Sequence, residues 1–149
     1  YYTCSPSRPM TVLQIHAAND RNYPYVGGFG GDGVANLLAT NNFYGVEATI
    51  KDWIARNDLP TVAVEGHVGA STLCRRCATP ADVSRPSAPV GICRIHPPDV
   101  YDPVSRIVFG GGHSWPGGVR SPDGSGDVPI RDFNANAYKR DRLNPWPSD

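Results

Sequence analysis

Gly110-Gly111-Gly112-His113-Ser114-Trp115-Pro116-Gly117-Gly118 follows directly on the apolar run Ile107-Val108-Phe109. Glycines on both sides let the backbone turn sharply and bring a side chain into the open. A histidine on a loop at the tip of a buried strand is a common way to present a catalytic imidazole. Near the start of the chain, Val12-Leu13-Gln14-Ile15-His16 reads as a second buried strand. The loop Ala17-Ala18-Asn19-Asp20-Arg21-Asn22-Tyr23-Pro24-Tyr25 follows it. An acid on one post-strand loop and a histidine on a later one are the two parts from which an acid–base pair is assembled.

His16-x-x-x-Asp20-x-x-x-Pro24-Tyr25, then Gly27-Gly28, resembles the H-G-x-x-D-x-x-V-P-Y segment of secreted polyhydroxybutyrate depolymerase-like esterases, which include feruloyl and acetylxylan esterases. Ala17 stands where that family has Gly, and Tyr23 where it has Val. The stretch around His113 resembles the same family's G-G-G-H-[ST]-W-P-G segment. Between them, Val46 to Asn57 is similar to its helix ending in W-x-x-x-N, here Trp53 and Asn57. The three segments occur in order and span residues 8–58 and 104–143.

The resemblance implies an α/β fold: the C-terminal part of an α/β-hydrolase doubly wound sheet, loop-rich and incomplete without an N-terminal half. It implies a secreted, extracellular serine-type carboxylesterase that works by Ser-His-Asp acyl transfer. Asp20 would be the catalytic acid and His113 the base, in the Asp…His order that ends such a triad. Trp115 and Tyr25 would bind substrate, an ester on plant cell-wall polysaccharide or a polyester. The chemistry needs no cofactor.

The nucleophile is the missing part. It belongs on a strand-turn-helix elbow, G-x-S-x-G, upstream of the acid. Only Ser5 and Ser7 precede Asp20, both in proline-flanked coil. Gly112-His113-Ser114-Trp115-Pro116 has Pro where the last Gly belongs, and a Gly/Pro stretch follows it instead of a helix. The chain begins at Tyr and shows no signal peptide. The expectation is therefore a C-terminal half, inactive alone, whose serine comes from a second polypeptide.

At 149 residues, one domain is expected. Sixteen glycines and fifteen prolines in a chain that is 40% hydrophobic point to long loops on few regular elements rather than to disorder. Fourteen basic residues balance fourteen acidic ones, which argues against a nucleic-acid partner. No apolar run reaches the length of a membrane span.

Along the chain, a strand and acid loop occupy 10–33, and a short helix is read at 34–41. A firmer helix covers 45–57, where Val46, Ile50, Trp53 and Ile54 form one apolar stripe. Thr61 to Val64 reads as a short strand. Residues 65–103 read as an irregular cysteine-containing insert, with prolines at 80, 86, 89, 97, 98 and 103. A strand and histidine loop occupy 104–118, and a closing helix 132–143, capped by Asp132.

Cys74-x-x-Cys77 followed by Cys93-x-x-His96 has the spacing of a structural zinc site. Disulfides are the competing reading, and the secretion that the resemblance implies favours them. Which cysteines pair, and whether Cys4 joins them, stays open. Asp20 reads either as the catalytic acid or as a turn residue capping its own backbone. His16 reads as an organiser of the acid loop. Trp115 either stacks on a substrate ring or packs its loop. A different class of function is also open: a non-catalytic secreted carbohydrate-binding module with Trp115, Tyr23, Tyr25 and Tyr44 as its platform. The distance between Asp20 and His113 separates the two.

Overall fold

The computed structural model describes residues 6–30, 42–78, 88–96, 100–102, 107–109, 112–120, 122–123, 126–131 and 134–138. The apolar run at the start forms strand β1 (Val12–Ala17), and the loop after it carries the two-residue strand β2 (Gly28–Phe29). Strand β3 (Asn42–Phe43) pairs with β2 and leads into helix α1 (Val46–Arg56). Strands β4 (Val64–Val68), β5 (Thr72–Cys77) and β6 (Val90–Ile95) follow. Strands β7 (Val100–Asp102) and β8 (Ile107–Phe109) form a separate antiparallel ribbon.

The main sheet has the order β1-β6-β5-β4, with β1 parallel to β6 and the other pairs antiparallel. Side chains alternate across a strand, and here each face meets its own core. Val12, Val90 and Ile92 face α1 and pack with Tyr25, Val46, Ile50 and Trp53. Ala17, Cys74, Cys93 and Ile95 face the other way and pack against Ile130 and Ala135. A strand covered on both faces is buried along its length, and β6, inside the sheet, is buried at five of its six positions.

Helix α1 is placed by both its ends. Its first N–H, on Val46, donates to the Tyr25 carbonyl of the acid loop (3.0 Å). At the other end the buried amide of Asn57 bonds the segments entering β1 and β6. Its Nδ2 donates to the carbonyls of Met10 (2.7 Å) and Ala88 (2.8 Å), and its Oδ1 accepts the Met10 N–H (3.2 Å).

The expected loop-rich half of an α/β-hydrolase doubly wound sheet is not what forms. The sheet is mixed and four-stranded, and strand predominates over helix. Residues 65–103, expected to be irregular, carry β4, β5, β6 and β7. The strand read before the histidine loop forms at Ile107–Phe109 and pairs with β7, outside the main sheet. Of the closing helix at 132–143, residues 135–138 form a single turn, and the rest lies outside the described residues except Asn134. The helix read at 34–41 and Cys4 also lie outside them.

Cys74 and Cys93 face each other across β5 and β6 with Cα atoms 4.1 Å apart and form a disulfide. This corrects the zinc alternative, because two of its four ligands are bonded to each other. Its third, Cys77, is a buried thiol on the opposite face of β5. No group of three potential metal ligands occurs among the described residues.

Candidate active site

The acid loop folds around Asp20. A side chain that bonds backbone amides two and three residues on closes a tight Asx turn, and Asp20 Oδ1 accepts the N–H groups of Asn22 and Tyr23, both at 2.9 Å. The carboxylate is thereby held at 8% exposure. Its second oxygen, Oδ2, lies 2.9 Å from His113 Nδ1, across 93 residues of chain. A carboxylate oxygen only accepts, so Nδ1 carries the proton. In the neutral ring the other nitrogen, Nε2, then carries the lone pair, and it takes no hydrogen bond from any described residue.

The histidine loop is fixed at its backbone from two sides. Asn19 Oδ1 accepts the Gly112 N–H (2.9 Å), and Asp127 Oδ2 accepts the His113 N–H (2.6 Å). Gly112 has φ +59°, and a Cβ there would lie 2.1 Å from the Asp127 carboxylate. Only glycine suits both the left-handed backbone and that close approach.

His16 supports the acid loop as expected. Its Nε2 donates to the Tyr23 carbonyl (2.8 Å), while the Gln14 amide nitrogen lies 3.5 Å from its Nδ1. Because the carbonyl only accepts, Nε2 bears the hydrogen. The 3.6 Å approach of the same nitrogen to Asp20 Oδ2 is the weaker contact. Tyr23 itself lies against the histidine, its ring stacked on the imidazole with centroids 4.8 Å apart and planes at 27°.

Comparison of the chain with protein-family models, with curated proteins and with solved structures found no match.

Asp20 and His113 are brought together, and Trp115 stands close by in sequence. Its ring is half exposed and its Nε1–H donates to Asn136 Oδ1 (3.3 Å). Tyr25 is placed differently from the substrate-binding role read for it. At 4% exposure it belongs to the core, with Arg94 over its ring and its hydroxyl donating to Glu47. Burial and the Glu47 carboxylate together push its pKa well above the ordinary tyrosine value. An aromatic platform of Trp115, Tyr23, Tyr25 and Tyr44 therefore loses Tyr25. The Tyr23 ring is engaged too, by His113 and by Phe43 (4.5 Å between centroids).

Asn19, Asp127 and the stacking of Tyr23 are the site residues that sequence reasoning missed. Tyr23 alone carried a signal, as the departure from the resembled motif. Asp127 sits in a Gly/Pro stretch with no periodicity to mark it.

A cavity of about 400 Å³ lies elsewhere, between α1 and the sheet, with Ile50, Ile54, Leu59, Cys77 and Val90 among its walls. None of its lining residues belongs to the Asp20–His113 pair. Glu47 and Arg75 form an ion pair at its edge. Partial burial opposes the Glu47 charge, but the Tyr25 hydrogen bond and the Arg75 guanidinium outweigh it and hold its carboxyl below the usual glutamate value. Burial pushes the Cys77 thiol up, against the smaller opposite pull of Arg75.

Proposed function

We propose that this chain supplies the acid–base half of a carboxylic ester hydrolase of the feruloyl esterase, acetylxylan esterase or polyhydroxyalkanoate depolymerase type, with its serine nucleophile on a segment outside these 149 residues. The observation that carries the reading is the 2.9 Å contact between Asp20 Oδ2 and His113 Nδ1. The bare Nε2 of His113 takes the proton of the attacking serine and later returns it to the leaving alkoxide. Asp20 holds the required tautomer and stabilises the imidazolium that forms, without itself being protonated. Trp115 offers its exposed face to an aromatic or sugar ring on the ester. A polypeptide carrying the serine is the partner this chemistry requires. The disulfide suits an oxidising, extracellular setting.

The test is hydrolysis of p-nitrophenyl acetate, methyl ferulate and a hydroxybutyrate oligomer by the protein isolated from its source, with any polypeptide that accompanies it, followed by fluorophosphonate labelling and peptide mapping. The expected label is a serine outside residues 1–149. Asp20→Asn is expected to lower kcat about ten-thousand-fold. A label on Ser114, or turnover undiminished by His113→Ala, would overturn the proposal.

A further inference from the structure

We infer that Tyr23 is a positioning residue for His113: its ring face selects the imidazole orientation in which Nδ1 meets Asp20. The inference rests on the acid–base reading of that pair only for its catalytic consequence.

The His113 side chain is 48% exposed, and its one described hydrogen bond is the one to Asp20. The outer torsion of a histidine is broad and roughly two-fold. A single bond at Nδ1 therefore leaves the ring able to turn and present carbon to the carboxylate. A planar surface alongside removes that freedom. Tyr23 is that surface, 4.8 Å from the imidazole and 27° from parallel.

Tyr23 can act as a reference plane because it is itself fixed at three points. Its N–H donates to Asp20 Oδ1 (2.9 Å), its carbonyl accepts from His16 Nε2 (2.8 Å), and Phe43 of β3 packs against its ring. The carboxylate that bonds His113 and the ring that stacks on it are thus mounted on one turn. Two of the three points are backbone bonds, which a side-chain substitution at residue 23 leaves in place. The aromatic face can therefore be tested apart from the loop. A valine, the residue of the resembled motif, would offer no such plane. The stacked face also favours the imidazolium that forms as the histidine takes a proton, since a cation over an aromatic face is stabilised.

The experiment is ¹H NMR of the low-field His113 Nδ1 proton in the 149-residue chain, in wild type, Tyr23→Leu, Tyr23→Phe and Phe43→Leu, with the amide signals of residues 22 and 23 reporting that the turn persists. Expected are a resolved Nδ1 resonance in wild type and Tyr23→Phe, its loss to exchange broadening in Tyr23→Leu, and partial broadening in Phe43→Leu, which disturbs the backing without touching the histidine. A resonance as sharp in Tyr23→Leu as in wild type would overturn the inference, as would its loss in Tyr23→Phe, which keeps the face and removes only the hydroxyl. In ester hydrolysis, Tyr23→Leu is expected to lower kcat with KM unchanged. The NMR readout needs no turnover. Loss of the resonance in Tyr23→Leu, with no esterase activity in the wild-type protein isolated from its source together with its accompanying polypeptides, would uphold Tyr23 and sink the ester reading.

Discussion

An imidazole tied at one nitrogen to a buried carboxylate has its other nitrogen left to exchange a proton, and the proposed function uses it so. Asp20 keeps its place because backbone N–H groups fill Oδ1 and leave Oδ2 for His113. Groups that act as one unit in catalysis give strongly non-additive losses when removed singly and together. In the ester assay, the double variant Asp20→Asn/His113→Ala is therefore expected to be no slower than His113→Ala alone, as measured by kcat/KM. Multiplying losses would mean that the two residues work separately. Both members of the pair were legible in the sequence, because the apolar runs before each loop and the glycines around His113 mark strand-to-loop exits. The supports of the pair were not. Asn19, Tyr23 and Asp127 act through space on a backbone whose path the sequence does not show, and a lone Asp or Asn in a loop reads equally well as a turn former.

At the scale of elements, the histidine loop and α1 carry the two sharpest expectations. Gly112 adopts a left-handed φ against the Asp127 carboxylate. Gly112→Ala is expected to cost about 1–3 kcal/mol of stability from backbone strain alone, read as a lower denaturant midpoint, with displacement of His113 lowering ester turnover further. For α1, the ion pair of Glu47 with Arg75 on β5 couples helix to sheet. The Glu47 pKa is lowered on folding, so its contribution is present above the ordinary glutamate value of 4.5 and is lost as pH falls through the lower folded value. Thermal melts of Glu47→Gln taken downward from about pH 4.5 should show a shallower fall in Tm than wild type. The position of α1 was readable from the stripe of Val46, Ile50, Trp53 and Ile54. Strand β5 was hidden, because Arg75 and Arg76 break its apolar run and Glu47, 28 residues earlier, answers the Arg75 charge only in the folded chain.

Across the whole molecule, two cores on opposite faces of one sheet are joined through β6, whose residues alternate between them. The Cys74–Cys93 disulfide ties β5 to β6 within the face that holds Ile130 and Ala135. Closing a loop of 19 residues' separation stabilises by about 3 kcal/mol. Cys74→Ala/Cys93→Ala is expected to lower the unfolding free energy by about that amount, while a chelator should leave the wild-type midpoint unmoved. The architecture itself was misread from the sequence. A loop-rich part of a doubly wound sheet was expected from the resemblance of a few short segments, whereas strand order depends on pairings between distant segments. The prolines at 86 and 89 made the flank of β6 look irregular, although the strand begins immediately after them.

The place of the proton on His113 decides whether the pair is built for acid–base chemistry. In the ¹⁵N-histidine-labelled chain at neutral pH, His113 is expected to show a protonated Nδ1 and a bare Nε2, a preference that Asp20→Asn abolishes. A wild-type His113 with its hydrogen on Nε2 and a bare Nδ1 would contradict the acid–base reading.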